Sequence, residues 1–129
     1  MPIISSLFDG TTYAASKKML DMTALRQEAI ASNIANLDTP GYKRMDVTPN
    51  FQSELSQAIS AQDTTRISNV NPKLSIDTTA ISATRDGNTV QLETEMKNQA
   101  ENFLAHSLET QLVSSKLATL RSAITGRTS

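Results

Sequence analysis

The residues of this 129-residue chain that could do chemistry are few and stand apart. Its one histidine, His106, has Asn102 and Thr110 four residues to either side, so no second imidazole shares its helical face to start a zinc site. It reads as a packed or solvent-bonded side chain. Asp38-Thr39 would need a glycine directly behind it to make the catalytic loop of an aspartic protease. Pro40 stands there instead, and no second copy follows. Cysteine is absent, which removes thiolate nucleophiles, disulfides and Cys-based metal sites. With four glycines no phosphate-cradling loop is present. Twelve basic and 13 acidic residues, net charge −1, give no electrostatic case for nucleic acid or an anionic membrane surface. The expectation is a protein with no catalysis, no cofactor and no metal.

What the chain does carry is a stretch with strong conformational content, Ser32-Asn33-Ile34-Ala35-Asn36-Leu37-Asp38-Thr39-Pro40-Gly41-Tyr42-Lys43-Arg44. Pro40 pushes Thr39 out of the α region and has no N–H to continue a helical ladder. Gly41 supplies a positive φ, so Thr39 to Tyr42 fits a type II turn with Pro second and Gly third. Asn36 suits a left-handed helix cap, and Asp38 can bond nearby backbone N–H groups. Two asparagines three apart, Asn33 and Asn36, are poor helix formers placed inside the last turns. A mere helix terminator does not account for them. The candidate assembly motif is therefore Asn33, Ile34, Asn36, Asp38, Thr39, Pro40, Gly41 and Tyr42.

The elements that must position this corner fall into three parts of one domain. Residues 11–36 read as a helix, with Ala15, Met19, Met22, Arg26, Ala29, Ile30, Asn33 and Leu37 on one broad face. Ser6 with Asp9 resembles a capping box ahead of it, although Gly10 follows at once. Met19 and Met22 read as packing residues. Residues 37–89 hold the turn and then an irregular polar middle. Within it, Phe51 to Ala61 could make a short helix, and Ile67, Val70, Leu74, Ile76 and Ile81 one or two short strands. Residues 90–124 read as a second long helix, with Asn88 as its cap and Gly126 beyond its end. Met96, Phe103, Thr110, Leu117 and Ile124 stand seven apart, and Val113 and Leu120 join them in an apolar seam. Leu104, Leu108 and Leu112 lie on another side. An apolar content of 38% and an aromatic content of 4% are low for a compact core. The pattern predicts an all-α chain whose two terminal helices pack in coiled-coil fashion with neighbours, closing a tube.

No stretch approaches transmembrane length, and Met1-Pro2-Ile3-Ile4-Ser5-Ser6 lacks a basic n-region and a long apolar h-region. The expectation is a cytosolic protein, or one that leaves by a route reading no cleavable signal.

The stretch Asn33 to Tyr42 resembles the N-terminal signature of the bacterial flagellar axial proteins. The chain's second half, from Asp86-Gly87-Asn88-Thr89-Val90-Gln91-Leu92-Glu93 through Lys116-Leu117-Ala118-Thr119-Leu120-Arg121-Ser122-Ala123-Ile124, is similar to the proximal members of its basal-body rod family. The likeness covers both ends well and the middle poorly. It implies a structural subunit of the proximal rod, carrying torque from the motor ring towards the hook. The implied partners are other rod proteins, the motor ring with its adaptor, and the flagellar type III export apparatus, with no membrane insertion. The implied place is the basal body, in the rod that spans the periplasm, reached without a cleavable signal peptide. A neighbouring proximal rod protein is the second reading of that resemblance. A soluble helical adaptor or chaperone, holding one partner on the same apolar stripes, is the reading from a different class.

Overall fold

A computed structural model describes residues 10–126, and the Ser6–Asp9 capping box lies outside them. Two long helices, α1 (Gly10–Ala35) and α4 (Leu92–Thr125), enclose a middle that is far more ordered than its composition suggests. It holds β1 (Met45–Val47), α2 (Asn50–Ser60), α3 (Thr64–Asn69) and β2 (Leu74–Ile76). The chain is thus mostly helical, with one small antiparallel ribbon in which Met45 faces Ile76 and Val47 faces Leu74. The short helix expected over Phe51 to Ala61 and a strand at Leu74 and Ile76 are present. The middle is otherwise less irregular than expected, because its sparse apolar residues are spaced to meet one another. Phe51, Leu55 and Ala58 recur along the inner face of α2, and Ile67 on α3 and Val70 just after it close on them. Ile67, read as strand, sits on a helix whose start is capped by Asp63, its carboxylate accepting from the Arg66 N–H at 3.0 Å.

This small core also covers one side of α1. Met22 is buried in it, and Ala14 and Met19 pack against it. The α1 stripe therefore finds a partner within the same molecule. On its other side α1 meets α4, which runs antiparallel to it: Asn33 bonds Glu95, and Thr23 bonds His106. That interface carries further polar contacts, Asn102 to the Thr23 carbonyl among them. At 34 residues α4 is about 51 Å long at 1.5 Å per residue, and it ends on Gly126, in the left-handed conformation at φ 65°.

Candidate assembly site

The corner after α1 is built as a type II turn. Tyr42 donates its N–H to the Thr39 carbonyl at 3.3 Å, and Gly41 takes φ +74°. Asn36 corrects one expectation. It keeps a right-handed φ and instead donates its carboxamide to the Ser32 carbonyl at 2.8 Å. The left-handed cap is unnecessary because a residue far along the chain satisfies the open carbonyls. Asn88 donates its Nδ2 towards the carbonyls of Asn36, Leu37 and Thr39 at 2.9, 3.0 and 2.8 Å. Asn88 was expected to cap α4; it caps the C-terminus of α1. Gln91 takes the N-cap place on α4 without a capping bond, its side chain donating instead to the Ile81 carbonyl at 3.4 Å. Asp38 is exposed and makes no side-chain hydrogen bond among the described residues, while Ile34 is half-buried and Thr39 and Pro40 are exposed.

Behind the corner lies a buried polar junction. Asn33 is fully buried, and its carboxamide pairs with β1 as a strand would. It donates to the Met45 carbonyl and accepts from the Met45 N–H, both at 2.9 Å. The same Nδ2 reaches Glu95 Oε2 at 3.3 Å, and the Tyr42 hydroxyl stands 3.1 Å from Ser32 Oγ. Glu95, also fully buried, takes Arg44 Nε at 2.7 Å. Arg44 Nη2 adds a longer bond to Glu95 Oε2 at 3.5 Å, while Nη1 donates to Asp77 at 2.5 Å and lies 3.6 Å from Asp46, which in turn holds Arg26 at 3.0 Å. Burial works against the Arg44 charge, but hydrogen bonds to Glu95 and Asp77 outweigh it and raise the guanidinium above its ordinary value. The Thr79 hydroxyl, and after it the Thr79 N–H and Arg44, hold the Asp77 carboxyl below the usual carboxylate range against its partial burial. The backbone is sewn across the same place: Thr89 donates to the Tyr42 carbonyl, and Arg44 N–H donates to Thr89 Oγ1. The end of α1, the ribbon, the 86–90 segment and the start of α4 are thus fixed to one another at one point.

The second feature is what α4 leaves uncovered. Met96, Phe103, Leu117 and Ile124 from the expected seam are all exposed, as are Leu104, Leu108 and Leu112; Phe103 is 72% and Ile124 81% exposed. Val113 and Leu120 are half-buried. Of the packing residues expected on α1, Met22 and Ile30 are buried and Met19 half-buried. Among the described residues no helix is long and apolar enough to cross a membrane, and no cluster of metal-ligating side chains forms.

Comparison with known proteins decides the family. Residues 20–43, the end of α1 and the corner, match the family model described as flagella basal body rod protein. The flagellar basal body rod protein FlgB of Borrelia hermsii is 35% identical over 113 aligned positions, covering 74% of this chain and 82% of the relative. The chain belongs to the FlgB family of flagellar basal body rod proteins. FlgB of Bacillus subtilis is 30% identical with 94% and 98% of the two chains covered, and FlgB of Salmonella typhimurium 29% identical with 85% and 90% covered. As a member of the FlgB family it is a structural subunit of the flagellar basal body rod.

In this FlgB-family chain the sequence reading found the corner and missed what locks it. Arg44, Asp77 and Glu95 were not singled out, and Asn88 was assigned to the other helix. A signal for Glu95 was present: Glu95, Asn102 and Glu109 repeat at seven residues, one place before the apolar Met96 and Phe103. That polar row is the face α4 turns to α1.

Proposed function

We propose that the chain builds the proximal rod as a tube wall, its α4 stripe packing against α-helices of neighbouring subunits in coiled-coil fashion. One observation carries this: α4 presents large apolar side chains from Met96 to Ile124 on the sides that α1 does not cover. Apolar area removed from water is the dominant drive for association, and one intramolecular partner does not remove it here. Neighbours on two sides would be copies of this chain and related rod proteins, with the motor ring and its adaptor at the proximal end. The junction around Arg44 and Glu95 makes the corner stiff, which suits a subunit that passes torque towards the hook. In this reading the subunit leaves through the flagellar type III apparatus without a cleavable signal peptide and works in the rod crossing the periplasm. The motif residues from Asn33 to Tyr42 set the angle at which the chain leaves the wall.

The test uses Leu108→Asp and Leu117→Asp. Both positions are exposed in the single chain, so folding and export should persist. In a packed wall each buries an unpaired carboxylate, at a cost of several kcal/mol per subunit. Cells carrying either variant should export the protein yet yield no basal-body rods and fail to swim. Normal swimming by both variants overturns the proposed wall.

A further inference from the structure

We infer that Asn102, together with Thr23 and His106, sets the rotation of α4 about its own axis and so keeps the apolar stripe turned away from α1. The role concerns positioning, and it rests on the reading that the stripe meets neighbours. Successive residues on an α-helix lie about 100° apart around the axis. Rolling α4 by one residue would replace Asn102 with Phe103 against α1, and Glu95 with Met96. Burial of Phe103 and Met96, which are 72% and 59% exposed as α4 stands, favours that roll. Something on the α1 side must oppose it.

The opposing contacts are polar and specific. Asn102 is 5% exposed and donates Nδ2 to the Thr23 carbonyl at 2.8 Å, with Gln27 Oε1 at 3.5 Å. Thr23 is also buried. Its hydroxyl donates to the Leu20 carbonyl at 2.9 Å, so towards His106 Nδ1, 2.8 Å away, it accepts. The imidazole proton therefore sits on Nδ1. A rolled helix would give up the bonds of Asn102 to the Thr23 carbonyl and of His106 to the Thr23 hydroxyl, and would set Phe103 against those polar atoms. The arrangement is also not the one that would hold α1 and α4 together best. Asn102 Oδ1 is buried without a partner, a cost that leucine at this position would not carry. A buried amide kept at a cost in stability fits a device for specificity, as a single buried asparagine fixes register and partner number in coiled coils.

The chain has no tryptophan, so Phe103→Trp places a single indole in the stripe. In the otherwise unaltered chain that indole should emit as an exposed group and be quenched freely by acrylamide. Adding Asn102→Leu should shift the emission to the blue and lower the quenching constant several-fold, with helicity by circular dichroism unchanged. Thr23→Val, which removes one hydroxyl at nearly constant volume, should move both readings the same way by less. The inference is overturned if neither variant protects the indole, whether because α4 keeps its rotation or because it loses its helix. Asn102 would then only hold two helices together. No motility enters this measurement, so its failure leaves the proposed wall standing, and a failure of the wall leaves it unaffected.

Discussion

Arg44 is the residue on which the junction turns, with Glu95, Asp77 and Asp46 all within 3.6 Å of its guanidinium. Taking such charges out of water is costly, and only close hydrogen-bonded geometry offsets it. Removing one member is therefore worse than its net contribution suggests. Arg44→Ala leaves Glu95 buried and uncompensated and should cost about 3–5 kcal/mol, read as a lower urea midpoint at an unchanged slope. Arg44→Lys keeps the charge but not the fork that reaches two carboxylates, and should fall between the two. An Arg44→Ala midpoint equal to the parent's would mean that water already screens the cluster. Asp77 gives this network a pH dependence of known sign. Its carboxyl is held below its ordinary value. The stability it contributes is then fully present above the unfolded carboxylate pKa of about 3.9 and is lost as pH falls through the lower folded value. Asp77→Asn should flatten that loss below about pH 4, relative to the parent. Parallel acid unfolding curves would remove Asp77 from the account.

The corner is an element whose success depends on backbone more than on space. A Cβ added at Gly41 would stand 3.9 Å from the Asp86 carbonyl, an ordinary contact, yet φ is +74°. Gly41→Val must therefore adopt a conformation that β-branched residues tolerate worst, or flip the turn and pull the Tyr42 carbonyl from the Thr89 N–H. It should cost about 1–3 kcal/mol in the isolated chain and block rod assembly, while Gly41→Asn, which accepts positive φ, should recover much of both. Parent-like melting and swimming for Gly41→Val would reduce the corner to an ordinary turn. This element was legible in the sequence because its causes are local: Pro40 and Gly41 act on their own and adjacent φ/ψ. The extents of α1 and α4, and α2 from Phe51, Leu55 and Ala58, were legible for the same reason, as short-period patterns. The strand β1 was not. Its outer edge is satisfied by Asn33, 12 residues back, and its pairing by β2, so nothing within Met45–Val47 announces it. Asn88 shows the same limit from the other side. Its type predicted a cap correctly, but the carbonyls it caps lie 49 to 52 residues earlier.

At the scale of the whole molecule, the chain divides by how it is held. Around Met22, Phe51, Leu55 and Ile67 there is a closed apolar core, and the junction at Glu95 ties the first turn of α4 to it. Further along, Asn102 and His106 give α4 its last side-chain hydrogen bonds to α1 among the described residues. Beyond them Thr110, Thr119 and Thr125 bond only carbonyls of α4 itself. Past them α4 keeps only the half-buried packing of residues such as Val113 and Leu120. A helix with so little tertiary support is marginal in water, because nucleation is costly and propagation adds little per residue. Opening free energies should therefore fall along α4 in the isolated chain. Amide hydrogen exchange should be slowest over Met22–Asn33 and within α2, intermediate from Glu95 to His106, and nearly unprotected past Thr110. In isolated basal bodies the same distal amides should become protected, because neighbours then cover Leu112, Leu117 and Ile124. If exchange in the free chain is uniformly slow from Leu92 to Thr125, α1 alone suffices to hold α4, and its exposed stripe is not waiting for a neighbour to complete the helix.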